Sequence, residues 1–158
     1  MTIKKSTKSS DRAFKKDLAL GNKIEQRILA KIQNKYPSAV LIPGKFKKYD
    51  IFIPENESKV EVKVDYKSQE TGNILIELFM FGKPSALLST TADFWVIDTG
   101  NEILWTTPKK ITECIMLNNI QSQEILGDGD SQKKIACLIP KKISVSYTHL
   151  TLPTNREV

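Results

Sequence analysis

Lys48-Tyr49-Asp50-Ile51-Phe52-Ile53-Pro54 and Lys59-Val60-Glu61-Val62-Lys63-Val64-Asp65 are the two stretches on which the reading of this chain turns. Both place β-branched or aromatic residues at alternate positions, the period-two pattern of strands. The polar Pro54-Glu55-Asn56-Glu57-Ser58 between them is turn-forming, so the pattern predicts a hairpin. On the second strand Val60, Val62 and Val64 share one face, and Glu61, Lys63 and Asp65 share the other. On the first, Tyr49, Ile51 and Ile53 lie opposite Asp50 and Phe52. Antiparallel pairing would bring Asp50 beside Glu61 and Lys63, so that two carboxylates and an ammonium meet.

Such a group has two readings. A half-buried antiparallel sheet often turns a charged face to water, and alternation alone favours that reading. Alternatively, two carboxylates offer hard oxygen ligands to Mg²⁺, which keeps several waters and prefers carboxylates plus substrate phosphate to a closed protein cage. A Lys two residues after a ligand can then position the attacking water or stabilise developing charge. Histidine chemistry has no place here, because the one His, His149, lies in a C-terminal segment with little pattern.

Upstream, residues 1–10 read as a flexible basic arm and residues 11–36 as helix broken at Gly21-Asn22. Asn22 followed by Glu25 has the form of a capping box, which would start a second helix carrying Ile24, Ile28 and Ile32 on one face. Glu25 borders that inward face, so it fits either the cap or a site carboxylate. Ala39–Ile42 is a short strand candidate, followed by a Pro43-Gly44 turn and the basic Lys45-Phe46-Lys47-Lys48.

Downstream the pattern predicts a strand at 73–80, a short helix at 85–91, a hairpin of 93–98 with 102–107, a helix over 108–117 opened by Pro108, and a last strand at 134–139. The order of elements indicates an α/β (α+β) domain over 11–145 with a central mixed sheet flanked by helices. Residues 146–158 read as a non-native or disordered tail, with a docking tail using Leu150 and Leu152 as the alternative.

A chain of 158 residues suits one domain. No apolar run approaches a membrane span and no signal-peptide pattern is present, so the expected setting is cytoplasmic, without a membrane partner. Cys114 and Cys137 sit in apolar segments without metal-ligand spacing, and are expected to be buried free thiols. The net charge of +6 is concentrated in residues 1–23, where seven Lys/Arg face two Asp. That arm, including Lys15 and Lys16, suits a polyphosphate such as DNA or, equally, a solvated terminus.

Asp50, ten intervening residues, then Glu61-Val62-Lys63 flanked by β-branched residues resembles the PD-(D/E)xK nuclease superfamily. The similarity continues through Thr71-Gly72-Asn73, Ile76-Glu77, Gly82-Lys83-Pro84-Ser85, Thr91-Ala92-Asp93-Phe94-Trp95 and Gly127-Asp128-Gly129-Asp130, which look like a phage-type endonuclease or Holliday-junction-resolvase-like group. Tyr49 stands where the superfamily's name has Pro, and Ala86 where the pattern has Gly. The resemblance implies a restriction-endonuclease-like core and a metal-dependent endodeoxyribonuclease in a bacterial or phage setting. It implies Mg²⁺ or Mn²⁺ held by Asp50, Glu61 and the Val62 backbone carbonyl, with Lys63 acting on water and Glu25 completing the site. Asn73, Lys83 and Ser85 become candidate DNA contacts beside Lys15 and Lys16, and Glu77 either approaches the metal or pairs with Lys63. DNA, with branched or structured forms as candidates, is the expected partner, and a homodimer is compatible with it. The alternative is a non-catalytic nucleic-acid-binding module on the same scaffold. Trp95 and Trp105, inside apolar runs, are expected in the core.

Overall fold

The computed structural model describes residues 4–126 and 133–148. The Gly127–Asp130 loop, His149 and the rest of the tail expected from the sequence lie outside them. The chain opens with α1 (Lys4–Gln33), then β1 (Val40–Leu41), β2 (Ile51–Ile53) and β3 (Ser58–Val64). After α2 (Ser68–Thr71) come β4 (Asn73–Met80), β5 (Lys83–Pro84) and a single 3-10 turn at Ala86–Leu88. The hairpin of β6 (Phe94–Asp98) and β7 (Ile103–Thr106) leads into α3 (Pro108–Leu117), β8 (Ser122–Leu126), β9 (Lys133–Pro140) and α4 (Lys141–Thr148).

The protein is α+β, with a mixed five-stranded sheet in the order β1-β2-β3-β6-β7, in which only β3 and β6 run parallel. The expected hairpin is present, with Ile51 opposite Val60, Phe52 opposite Lys59 and Ile53 opposite Ser58. Ile24, Ile28 and Ile32 of α1 pack on one face of this sheet against Ile51, Ile53, Val60 and Val96. On the other face Trp95, Ile97 and Leu104 meet Ile74, Ile76, Ile139 and, from α3, Ile111 and Cys114. Those partners come partly from a second, wholly antiparallel sheet in the order β5-β4-β9-β8. The expected mixed central sheet is present, and β4 and β9 pair with each other over Asn73–Met80 in a second sheet that the sequence pattern did not separate from it. Cys114 and Cys137 are buried free thiols, as expected.

Several boundaries differ for physical reasons. The first helix runs unbroken from Lys4, through both the stretch read as a flexible arm and Gly21-Asn22, so the capping box does not form. A glycine inside a helix costs about 1 kcal/mol relative to Ala, which the Ile24/Ile28/Ile32 stripe outweighs, since each buried Ile is worth about 1.5–3 kcal/mol. Pro37 follows the end of the helix. The helix expected over 85–91 is only the 3-10 turn, and α4 includes 146–148, which had been read as tail. The turn between β6 and β7 needs its glycine twice over: Gly100 has φ +97°, and a Cβ there would collide with the Gln69 side chain, which donates to the Thr99 carbonyl at 2.6 Å. Among the described residues no helix is long and apolar enough to cross a membrane.

Candidate active site

The site lies where β2 and β3 stop pairing. Asp50 immediately precedes β2 and is 6% exposed; its N–H donates to the Val60 carbonyl at 2.9 Å, the last backbone bond on that side of the hairpin. Beyond it the Val62 N–H donates instead to Asp50 Oδ2 at 2.7 Å. A strand residue presents its N–H and C=O on the same edge, so the Val62 carbonyl opens beside the Asp50 carboxylate. Glu61 and Lys63 leave β3 on the face of their register partners Trp95 and Ile97, toward the second sheet. Lys63 Nζ lies 3.1 Å from Glu61 Oε1 and 5.3 Å above the Trp95 ring. Trp95 is 1% exposed and donates its indole N–H to Thr90 Oγ1, so it is core, as expected, and also a platform for the Lys63 ammonium.

Glu25 reaches the site from α1. Its Oε2 lies 2.9 Å from Lys47 Nζ, and the same ammonium lies 3.2 Å from Asp50 Oδ1. Lys47 therefore sits between two carboxylates. Sequence reasoning gave it no role, although its place in the basic run three residues before Asp50 was the available signal. The electrostatics bind the group into one unit. Burial pushes the Glu61 carboxyl above its ordinary range; Lys63 opposes this, Asp50 adds to it and Lys47 opposes it. Burial likewise raises Glu25, with the bond from Lys47 opposing and the charge of Asp50 adding. For Lys47 burial disfavours the ammonium, but the bond to Glu25 and the charge of Asp50 outweigh it and hold the pKa above the ordinary value.

A polar cleft of about 400 Å³ opens over Glu61 and Lys63, bordered by Lys47, Lys48 and the hydroxyl residues Ser89, Thr90 and Thr91. Cations and hydroxyls around a carboxylate suit a phosphate ester approaching a metal. The residues fit a divalent cation in donor chemistry, since Asp50, Glu61, Glu25 and the Val62 carbonyl are all hard oxygens. Among the described residues, however, no three acidic side chains stand as a ready-made metal group. The Lys47 ammonium lies between Glu25 and Asp50.

The remaining sequence candidates divide. Asp65, on the Glu61/Lys63 face, is an anchor: its carboxylate accepts from Ser68 N–H at 3.1 Å and Leu75 N–H at 2.9 Å, tying α2 and β4 to the end of β3. Glu77 shares a cavity of about 260 Å³ with Lys63 but pairs with Lys134 at 3.6 Å. Ser85 Oγ is buried without a hydrogen-bond partner, and next to it Ala86 adopts φ +42°, a conformation that a glycine would take without strain. Gly72 has φ +72° and caps α2, as its turn reading expects. Asn73 and Lys83 border neither cleft beside the carboxylates. Lys15 and Lys16 are exposed on α1, about 15 and 13.5 Å along the helix from Glu25 and roughly 80° and 180° around it. They do not enter the site. Compared with known proteins, the chain matches no family model, no curated protein and no solved structure.

Proposed function

We propose that this protein is a Mg²⁺- or Mn²⁺-dependent DNA endonuclease of the PD-(D/E)xK type, built on a restriction-endonuclease-like core. The observation that carries the reading is the meeting of Asp50, Glu61, Lys63 and Glu25 around the splayed end of the β2–β3 hairpin, beneath a cleft lined by cations and hydroxyls. In it, Asp50, Glu61 and the Val62 carbonyl hold the metal, with Glu25 in support. When bound, the ion supplies a Lewis acid for the scissile phosphate and lowers the pKa of its water.

The chain's own residues do the rest. The Val62 N–H fixes the Asp50 carboxylate in one orientation. Trp95 confines the Lys63 ammonium at the mouth of the cleft, where it orients the attacking water and offsets charge developing on the phosphoryl oxygens. Lys48 and the Ser89–Thr91 segment receive the flanking phosphates. Branched or structured DNA is the candidate substrate, and cutting both strands of a junction would call for a homodimer.

The test is conversion of supercoiled plasmid and of a four-way junction by the purified chain with Mg²⁺ or Mn²⁺, set against Glu61→Ala and Lys63→Ala. Cutting should depend on metal and vanish in both variants while their far-UV spectra stay unchanged. Equal cutting by Lys63→Ala would sink the assignment. The alternative reading is a non-catalytic DNA-binding module on the same scaffold. Salt-dependent DNA binding without turnover on any substrate would decide for it.

A further inference from the structure

The loop between β1 and β2 carries Lys47 to the site and raises one side chain away from it. Phe46 is 98% exposed, the most exposed of the large hydrophobic residues described. A fully solvated phenyl ring leaves about 1.5–3 kcal/mol of burial unused, and a scattered exposed apolar residue alone would call for no explanation. Phe46, however, stands at the edge of an apolar groove of about 800 Å³ formed by Leu41, Ile42 and Pro43, with Asn22 and Glu25 along its side. Lys47 borders both this groove and the polar cleft, so the two meet at the site carboxylates. Lys45 precedes Phe46 in the chain and lines the same groove, and Lys48, two residues after Phe46, borders the polar cleft; both are exposed, and neither has an ion pair among the described residues.

We infer that this groove receives a single unpaired nucleotide next to the scissile phosphate, its base stacked on Phe46 and its phosphates on Lys45 and Lys48. The inference rests on the nuclease reading and sharpens it to a substrate class: DNA with an unpaired nucleotide at a branch, flap or bulge. Three features argue for this occupant. An exposed aromatic ring on a lysine-rich loop matches a base joined to phosphates, because the ring supplies a stacking surface for any base and the cations supply the backbone contact. A base inside an intact duplex is stacked on both faces and cannot enter such a groove without first paying for its extrusion. The groove also joins the cleft at Lys47, so one backbone can run from Phe46 to Glu61 and Lys63.

The experiment is equilibrium binding by the full chain in EDTA, where no cutting occurs. The probes are a duplex carrying one unpaired 2-aminopurine and the fully paired duplex of the same length, read by anisotropy and by 2-aminopurine emission. The wild type should quench the emission and prefer the unpaired probe by about 5- to 150-fold, the range that stacking one base on an aromatic ring supplies. Phe46→Ala should lose the quenching and the preference yet bind the paired duplex as before, and Phe46→Trp should keep both. Retention of quenching and preference by Phe46→Ala overturns the inference. Duplex binding with no preference in the wild type overturns it too, while leaving the nuclease reading intact. Absence of binding to either probe, together with no cutting in Mg²⁺, removes both.

Discussion

Replacing Asp50 separates its structural part from its chemical part. The carboxylate accepts the Val62 N–H at 2.7 Å and faces Lys47 Nζ at 3.2 Å, in a residue 6% exposed. A hydrogen bond to a charged group contributes about 1.5–3 kcal/mol and a neutral one about 1 kcal/mol. Asp50→Asn keeps an oxygen for Val62 and leaves Lys47 its bond to Glu25, so it should cost about 1–2 kcal/mol. Asp50→Ala leaves the Val62 N–H without a partner and should cost about 2–4 kcal/mol. For a chain of this size each kcal/mol moves Tm by about 2–4 °C, so the expected losses are about 2–8 °C and 4–16 °C. Thermal unfolding in EDTA by circular dichroism measures them. Plasmid cutting in Mg²⁺ should fall at least about 100-fold in both variants, since losing even an outer partner of a bound metal costs 10–100-fold. Full cutting by Asp50→Asn would remove Asp50 as a ligand, and an alanine variant as stable as the asparagine one would refute the hydrogen-bond arithmetic.

Glu61→Gln should stabilise the metal-free fold near pH 7.5 relative to the wild type and lose that advantage near pH 4. Because burial raises the Glu61 pKa, the folded state binds a proton more tightly than the unfolded chain, and the wild type loses stability as pH rises from about 4.5 through the folded value. Melting curves across that range check the sign; a larger deficit for Glu61→Gln at pH 7.5 than at pH 4 refutes it. Lys47→Met removes the ammonium between Glu25 and Asp50, so the metal-free protein should melt lower while its gain in Tm on adding Mg²⁺ should exceed that of the wild type. A tenfold tighter site would add about 1.4 kcal/mol at saturating metal, and an identical Mg²⁺ response in both proteins would refute the competition. Ala86→Gly should be neutral or stabilising by up to about 1.5 kcal/mol by chemical denaturation. Relief of the φ +42° conformation, about 1–2 kcal/mol, offsets the extra chain entropy of glycine, about 0.5–1 kcal/mol; a loss of 1 kcal/mol would show that the turn is unstrained.

The hairpin, its faces and the apolar stripe of α1 were legible in the sequence because each follows from a short local period, and Val60 with Ile51 or Ile24 with Ile28 obey it. Gly21-Asn22 misled because a local break signal competes with tertiary burial, and the isoleucines on α1 win that competition. The separation of β4 and β9 into their own sheet was not legible, since partner choice among strands of similar composition is set by the whole fold. Helix α4 was hidden by its context: Lys141–Thr148 has weak periodicity and runs into a segment that reads as tail. At the site, alternation placed Glu61 and Lys63 correctly, yet it grouped Asp65 with them, and only the bonds to Ser68 and Leu75 reveal Asp65 as an anchor.

Lys47 escaped for a different reason, and it bears on how the site works. A sequence motif records groups that bind a metal, whereas the folded chain must also remain stable without one. Glu25, Asp50 and Glu61 would otherwise leave three carboxylates partly removed from water, and burial already pushes Glu25 and Glu61 toward the protonated form. One ammonium at 2.9 and 3.2 Å from two of them offsets that cost. The same flexible stem lets it leave, because a lysine has four carbons and three rotatable donors to redirect toward an incoming phosphate. On the proposed nuclease reading, a divalent ion would take the place of the ammonium between Glu25 and Asp50, and Lys47 would then be free to contact a phosphate at the mouth of the cleft.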